Sequence, residues 1–214
     1  MNERTSDTDD MIRFQNRTPL LLLSFGALLF ASCAGLGAAK VPENPPERPP
    51  APELLLGKGR VGAEQLAGFL LKNNASAEAG FVRNLAVLYI EECEAEGVNH
   101  DVAFSQMCHE TGFLRYGGLV TPGMNNFCGL GAIGPEQPGE RFPSARIGVR
   151  AHVQHLKGYA TDAPLRRELV DPRYRWIKYG SAPAIHDLTG RWASDREYGN
   201  KLTSMVERLY SYAL

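Results

Sequence analysis

The sequence predicts a mainly α domain in which one long irregular segment, a short loop or small β-lobe, forms a wall of a cleft. Three observations support this. Apolar residues recur at helical spacing in several segments, strand-like alternation is scarce, and glycine and proline concentrate between Phe113 and Pro143. The 214 residues, 43% hydrophobic and 22% charged, suffice for one ordinary domain with appendages. A net charge of -1 offers no field that would attract nucleic acid, and no such partner is expected.

The first element is a leader. Leu20 to Phe30 is an apolar run, too short for a membrane span of ~20 residues but right for a signal-peptide core of ~7–15. The ten residues before Met11 carry four acids, unlike a signal peptide. Starting at Met11 leaves only Arg13 and Arg17 as charges ahead of the run, so Met11 reads as the true start; a long leading region is the alternative. The stretch "FASC" resembles a bacterial lipoprotein cleavage site, with Phe30 where leucine is usual. Cys33 would then be lipidated, anchoring the protein to a membrane of the cell envelope, on the periplasmic side or at the surface. An ordinary secretory signal is the alternative. Residues 34–53 follow as an extended tether, with six of the 14 prolines between Val41 and Glu53. The domain is expected over 54–214. Without its leader the chain is neutral.

Within the domain, "GAEQLAGFLLKNN" reads as a short helix and "AEAGFVRNLAVLYIEECEAEG" as a longer one. Phe81, Leu85, Leu88 and Tyr89 give the longer one its apolar spacing, and Gly97 stops it. Asn99 can cap a third helix running to Glu110, with Gly112 as its stop. Ser144 can cap a fourth through Tyr159, offering Ile147, Val149, Val153 and Leu156 for burial. A short helix is expected in "AIHDLTGRWA". Asp195 is then the expected N-cap of a final helix, with Tyr198, Leu202, Met205, Val206 and Leu209 as its stripe. Cys93, Cys108 and Cys128 form no metal motif; buried thiols or one disulfide are both open.

The chemistry centres on Glu110, in "HETGFLRYGG". It is either a solvated surface acid or a proton donor in a cleft. A helix C-terminus carries partial negative charge, which disfavours a carboxylate there. Burial against Phe113 or Tyr116 would act the same way. A carboxylic acid with a raised pKa can protonate the leaving oxygen of a glycosidic bond near neutral pH.

The blocks "SQMCHETGFLRYGG", "NNFCGLGA" and "WASDREYGNKL" occur in that order and span most of the domain. Together they resemble the glucosaminidase-type peptidoglycan hydrolases, glycoside hydrolase family seventy-three. Glu110 matches that family's catalytic acid, Thr111 its serine, Gly112 its glycine and Phe113 its tryptophan. Asn126, Phe127, Gly129 and Leu130 match its second block; Trp192, Asp195, Tyr198, Lys201 and Leu202 match the last. The resemblance implies a lysozyme-like fold and endo-acting cleavage of β-1,4 bonds in the glycan strand of peptidoglycan, as an endo-β-N-acetylglucosaminidase. It implies Glu110 as general acid and Tyr198 as an active-site tyrosine, and Asn126, Phe127, Phe113 and Trp192 as candidates for sugar contact. No cofactor is expected. The segment between the middle blocks is short here, and its only acids, Glu136 and Glu140, are the candidates for a second carboxylate.

Rival readings stay open. A lytic transglycosylase or a muramidase on the same fold needs the same acid, and a non-catalytic peptidoglycan-binding module could keep the cleft. For Tyr198, a core position is equally open; for Asn126, a turn; for Phe127 and Trp192, core packing. His152 and His155 could pair on a metal but lack a third ligand. Between Arg141 and Lys178 nine basic residues face three acids, which would attract the carboxylates of muramyl lactyl groups and stem peptides or form a solvated surface.

Overall fold

The computed structural model describes residues 50–214. The leader, the Met11 start, Cys33 and the tether up to residue 49 lie outside the described residues. Helix α1 spans Ala63–Asn73, α2 Ala79–Glu96 and α3 His100–Glu110. A small antiparallel hairpin follows, with β1 at Ala132–Gly134 and β2 at Gln137–Pro138. Helices α4 (Ala145–Ala160) and α5 (Tyr198–Ala213) complete a mainly α domain. No helix among the described residues is long and apolar enough to cross a membrane.

Local chemistry sets most boundaries. The Glu78 carboxylate accepts from the amides of Gly80 and Phe81 and starts α2. Gly97 ends it in the left-handed conformation, φ 79°. Asn99 caps α3 through the Asp101 and Val102 amides, and Ser144 caps α4 through Ile147. The last helix differs from expectation. Its N-cap position is Glu197, with no side-chain bond, whereas Asp195 lies outside the helix and pairs with Lys201. A cap contributes ~1 kcal/mol, but each fully buried apolar side chain contributes ~2 kcal/mol. Tyr198, Leu202, Met205, Val206 and Leu209 are all buried, so packing rather than capping fixes α5. Likewise, the short helix expected in "AIHDLTGRWA" is a single 3-10 turn, His186–Leu188. Phe81 is 37% exposed and Val82 takes its expected place inside.

Helix α2 is the centre of the packing, against α1, α3 and α4, while α3 also packs on α5. Tyr89, Phe104, Leu85, Leu156 and Leu202 fill the shared core. Cys93, Cys108 and Cys128 are free and buried, the first two in this core and Cys128 beside Leu130, Phe142 and Ala151, so no disulfide joins them. The loop before the hairpin presses directly on α4. A Cβ on Gly148 would sit 1.8 Å from the Asn125 carbonyl oxygen, so only glycine allows that approach.

The α2–α4 contact also buries charge. Glu92 accepts from Arg150 Nε at 2.9 Å and Arg146 at 3.0 Å. Glu96 accepts from Lys157 Nζ at 2.7 Å and from the amides of Arg166 and Arg167. Burial alone would raise both carboxyls, but these donors outweigh it and hold both below the ordinary value. Three of the nine basic residues between Arg141 and Lys178, namely Arg146, Arg150 and Lys157, therefore pair with buried acids.

Removing one partner of a buried pair costs about 3 kcal/mol or more, because the other charge is stranded. Lys157→Met should accordingly lose about that much stability in urea titrations at pH 7. Adding Glu96→Gln should restore much of it. If the single variant is as stable as the wild type, the pair carries no such weight.

Candidate active site

Helix α3 ends on Glu110, at the mouth of a turn that few sequences tolerate. Gly112, Phe113, Leu114 and Tyr116 all have φ between 53° and 62°. For residues other than glycine this conformation is strained. A set of bonds holds it. The Thr111 hydroxyl donates to the Met107 carbonyl at 2.7 Å and accepts from the Leu114 amide at 2.9 Å. The Phe113 amide reaches back to the Cys108 carbonyl, and Asn74 Nδ2 donates to the Phe113 carbonyl. The "ETG" stretch thus terminates the helix while fixing the direction of the acid.

Glu110 Oε1 accepts from both Trp192 Nε1, at 2.9 Å, and the Tyr198 hydroxyl. Those two donors occupy the acceptor capacity of Oε1, so a proton on this carboxyl belongs on Oε2. Desolvation is the largest influence on the acid and raises its pKa. The Tyr198 hydrogen bond, nearby His109 and the Trp192 hydrogen bond oppose it without cancelling it. The burial effect expected from the sequence thus acts in the stated direction, with Tyr116 rather than Phe113 beside the acid on the groove wall.

Behind Tyr198 runs a buried chain of polar groups. Gln106 Nε2 donates to the Tyr198 oxygen at 2.7 Å, and Gln106 Oε1 lies 3.0 Å from His152 Nε2. His152 Nδ1 lies 2.9 Å from the Tyr89 hydroxyl. Burial lowers the His152 pKa to about 3, so the ring is neutral and carries one N–H. Because Gln106 Oε1 only accepts, that proton sits on Nε2. Nδ1 then accepts from Tyr89. Every donor along the chain therefore points towards Glu110.

Two hollows meet at Gly129 and Ala132. One, about 170 Å³, is lined by Glu110, Tyr116 and the Gly117–Val120 loop. The other, about 260 Å³, is lined by Trp192, His155, Tyr159, Arg173 and Trp176. Among the described residues lining them, Glu110 is the only carboxylate.

The remaining candidates are placed as follows. Tyr198 and Trp192 both touch the acid. Asn126 is fully buried, and its amide is engaged with the Leu130 and Glu140 backbone, so it shapes the wall and has no free group for a sugar. Phe127 is buried against Phe81 and presents no face for stacking. Phe113 turns to Phe69, at 5.6 Å between ring centroids, and lies outside the groove lining. Glu136 is exposed at the hairpin turn, and Glu140 stands 4.0 Å from Arg173. His152 and His155 do not converge on a metal. His155 Nδ1 binds Asp171 at 2.7 Å, and no group of three ligating residues occurs among the described residues. Sequence reasoning missed Gln106, although its position four residues before Glu110 puts both on one helix face. It also missed Trp176, for which no local signal existed.

The family model "Glucosaminidase: Mannosyl-glycoprotein endo-beta-N-acetylglucosaminidase" matches residues 86–211, more than half of the chain. An uncharacterized protein of Borreliella burgdorferi is 39% identical over 158 residues, covering 74% of this chain and 78% of that protein. No solved structure matches. The matched region runs from the middle of α2 to the end of α5 and contains Glu110, Trp192 and Tyr198, and on these grounds the chain belongs to the glucosaminidase family.

Proposed function

We propose that this domain is an endo-β-N-acetylglucosaminidase that cleaves β-1,4 bonds in the glycan strands of peptidoglycan, with Glu110 as general acid. One observation carries the reading. A half-buried carboxyl with a raised pKa opens on a groove, with both of its protein donors on one oxygen. Its other oxygen is free to deliver a proton to a glycosidic oxygen. The export and lipid anchor expected from residues 1–33 belong to the same reading, since this polymer lies outside the cytoplasmic membrane.

In the first step the Oε2 proton passes to the leaving oxygen as the C1–O bond breaks, and the lost proton leaves Glu110 ionised. Tyr198 and Trp192 then stabilise the carboxylate without moving. The single acid of the groove favours a nucleophile from the substrate itself. The carbonyl oxygen of the N-acetyl group can close on C1, and water, deprotonated by Glu110, then opens that ring to give a reducing sugar. The same observation supports a second reading: attack by the substrate's own C6 hydroxyl, which would give an anhydro-muramic end.

Glu110→Gln preserves shape but removes the transferable proton, and turnover on purified peptidoglycan should fall ~100- to 10,000-fold. Mass spectrometry of the wild-type products should show reducing ends; anhydro ends would replace hydrolysis by transglycosylation. Near-full activity in Glu110→Gln would overturn both readings.

Tyr198→Phe removes a hydrogen bond that lowers the Glu110 pKa. The acid form should then persist to higher pH, moving the alkaline limb of the rate profile upward. Loss of a charge-assisted hydrogen bond should also cut kcat by ~10- to 100-fold. An unmoved alkaline limb would show that Tyr198 does not act on this acid.

A further inference from the structure

The larger hollow holds an arrangement the acid does not require. Trp176 is 58% exposed, although it is the type of side chain a fold ordinarily covers. Two guanidiniums flank its ring, Arg173 at 4.4 Å and Arg175 at 4.2 Å from the centroid. Of the two, Arg173 also lines the hollow, together with Trp176 and Trp192. The placement is built in. Asp171, which is buried, accepts from the Arg173 amide at 2.8 Å and binds His155 on the same wall at 2.7 Å. The nearest carboxylate to the Arg173 guanidinium is Glu140, at 4.0 Å, too far for a hydrogen bond, so its donors remain available.

The hollow is continuous with the acid. Trp192 lines it, while the Trp192 N–H bonds Glu110. A glycan with its scissile bond at Glu110 would reach this hollow along Gly129 and Ala132, which line both hollows. The two guanidiniums cover the faces of the indole, so its exposed edge is what a sugar in the hollow can meet. A planar guanidinium held against that indole matches a carboxylate on the same sugar. In this polymer only the muramyl residue carries one, either on its lactyl group or on the attached peptide.

Resting on the proposed function, we infer that the Trp176–Arg173 hollow is a subsite for a muramyl residue, recognised through its carboxylate. The domain therefore discriminates between charged and neutral glycans.

Three substrates separate the possibilities. Intact peptidoglycan carries peptide carboxylates, with its lactyl groups in amide linkage. Strands stripped by an amidase carry lactyl carboxylates. Stripped strands whose carboxylates are converted to carboxamides carry neither. Wild-type kcat/KM should exceed that on the carboxamide strands by ~10- to 100-fold on one of the charged substrates, the better one identifying the source. In Arg173→Gln this ratio should collapse towards one, with Arg173→Lys intermediate. If Arg173→Gln does not fold, the salt dependence of the wild-type ratio serves instead, and it should shrink between 50 and 500 mM sodium chloride by a rough Debye-screening expectation. Equal cleavage of all three substrates by the wild type would overturn the subsite and leave the proposed function standing. Cleavage of none would remove both.

Discussion

The groove depends on one hydrogen bond, from the Tyr198 hydroxyl to Oε1 of Glu110. It joins the two helices that pack against each other at the acid, α3 and α5, and it decides which carboxyl oxygen can carry the proton. It is itself constrained. Gln106 donates into the Tyr198 oxygen, so the tyrosine has only its proton to offer forwards. His152 fixes Gln106, and Tyr89 fixes His152. In a low-dielectric interior such a chain is strong when complete and costly when broken. Its direction is set by a neutral histidine, whose single N–H leaves no second arrangement around the fixed glutamine. The acid is thus oriented from within the core, while burial raises its pKa against the pull of its own donors.

The same packing separates two uses of charge. Glu92 and Glu96 are covered from solvent, yet both are held ionised by guanidinium, ammonium and amide donors. Glu110 meets one hydroxyl and one indole N–H, both uncharged, and desolvation prevails there. Number and charge of donors divide the structural carboxylates from the proposed acid. Arg146, Arg150 and Lys157 serve the structural pair. Arg173 and Arg175, a few turns further along the chain, are free to stack on Trp176 at the surface.

The sequence made the helices legible because they obey local rules. Asn99, Gly97 and Ser144 act where their chemistry says they should. Expectation failed at Asp195, where packing of the following helix outweighed a good capping residue, and at Phe81, where a neighbouring valine is the buried member of the stripe. The place of Glu110 at a helix end on a groove was legible through its turn, and its contact with Tyr198 through a family resemblance. The sugar-contacting roles expected of Asn126 and Phe127 were not, because a side chain beside a glycine-rich loop can face the groove or hold the loop together, and only the tertiary structure distinguishes the two. Gln106, His152 and Trp176 are separated widely in the chain, and their roles exist only once α3, α4 and the segment after α4 are in place.

The central claim is that Glu110 is held protonated by its surroundings at a pH where an ordinary glutamate is ionised. Titration of the Glu110 carboxyl carbon by nuclear magnetic resonance tests this directly, with the signal assigned by its absence in Glu110→Gln. The account predicts a midpoint clearly above the ordinary value of about 4.3. A midpoint at or below that value would show that the Tyr198 and Trp192 donors outweigh burial, and Glu110 could not then be the proton donor proposed here.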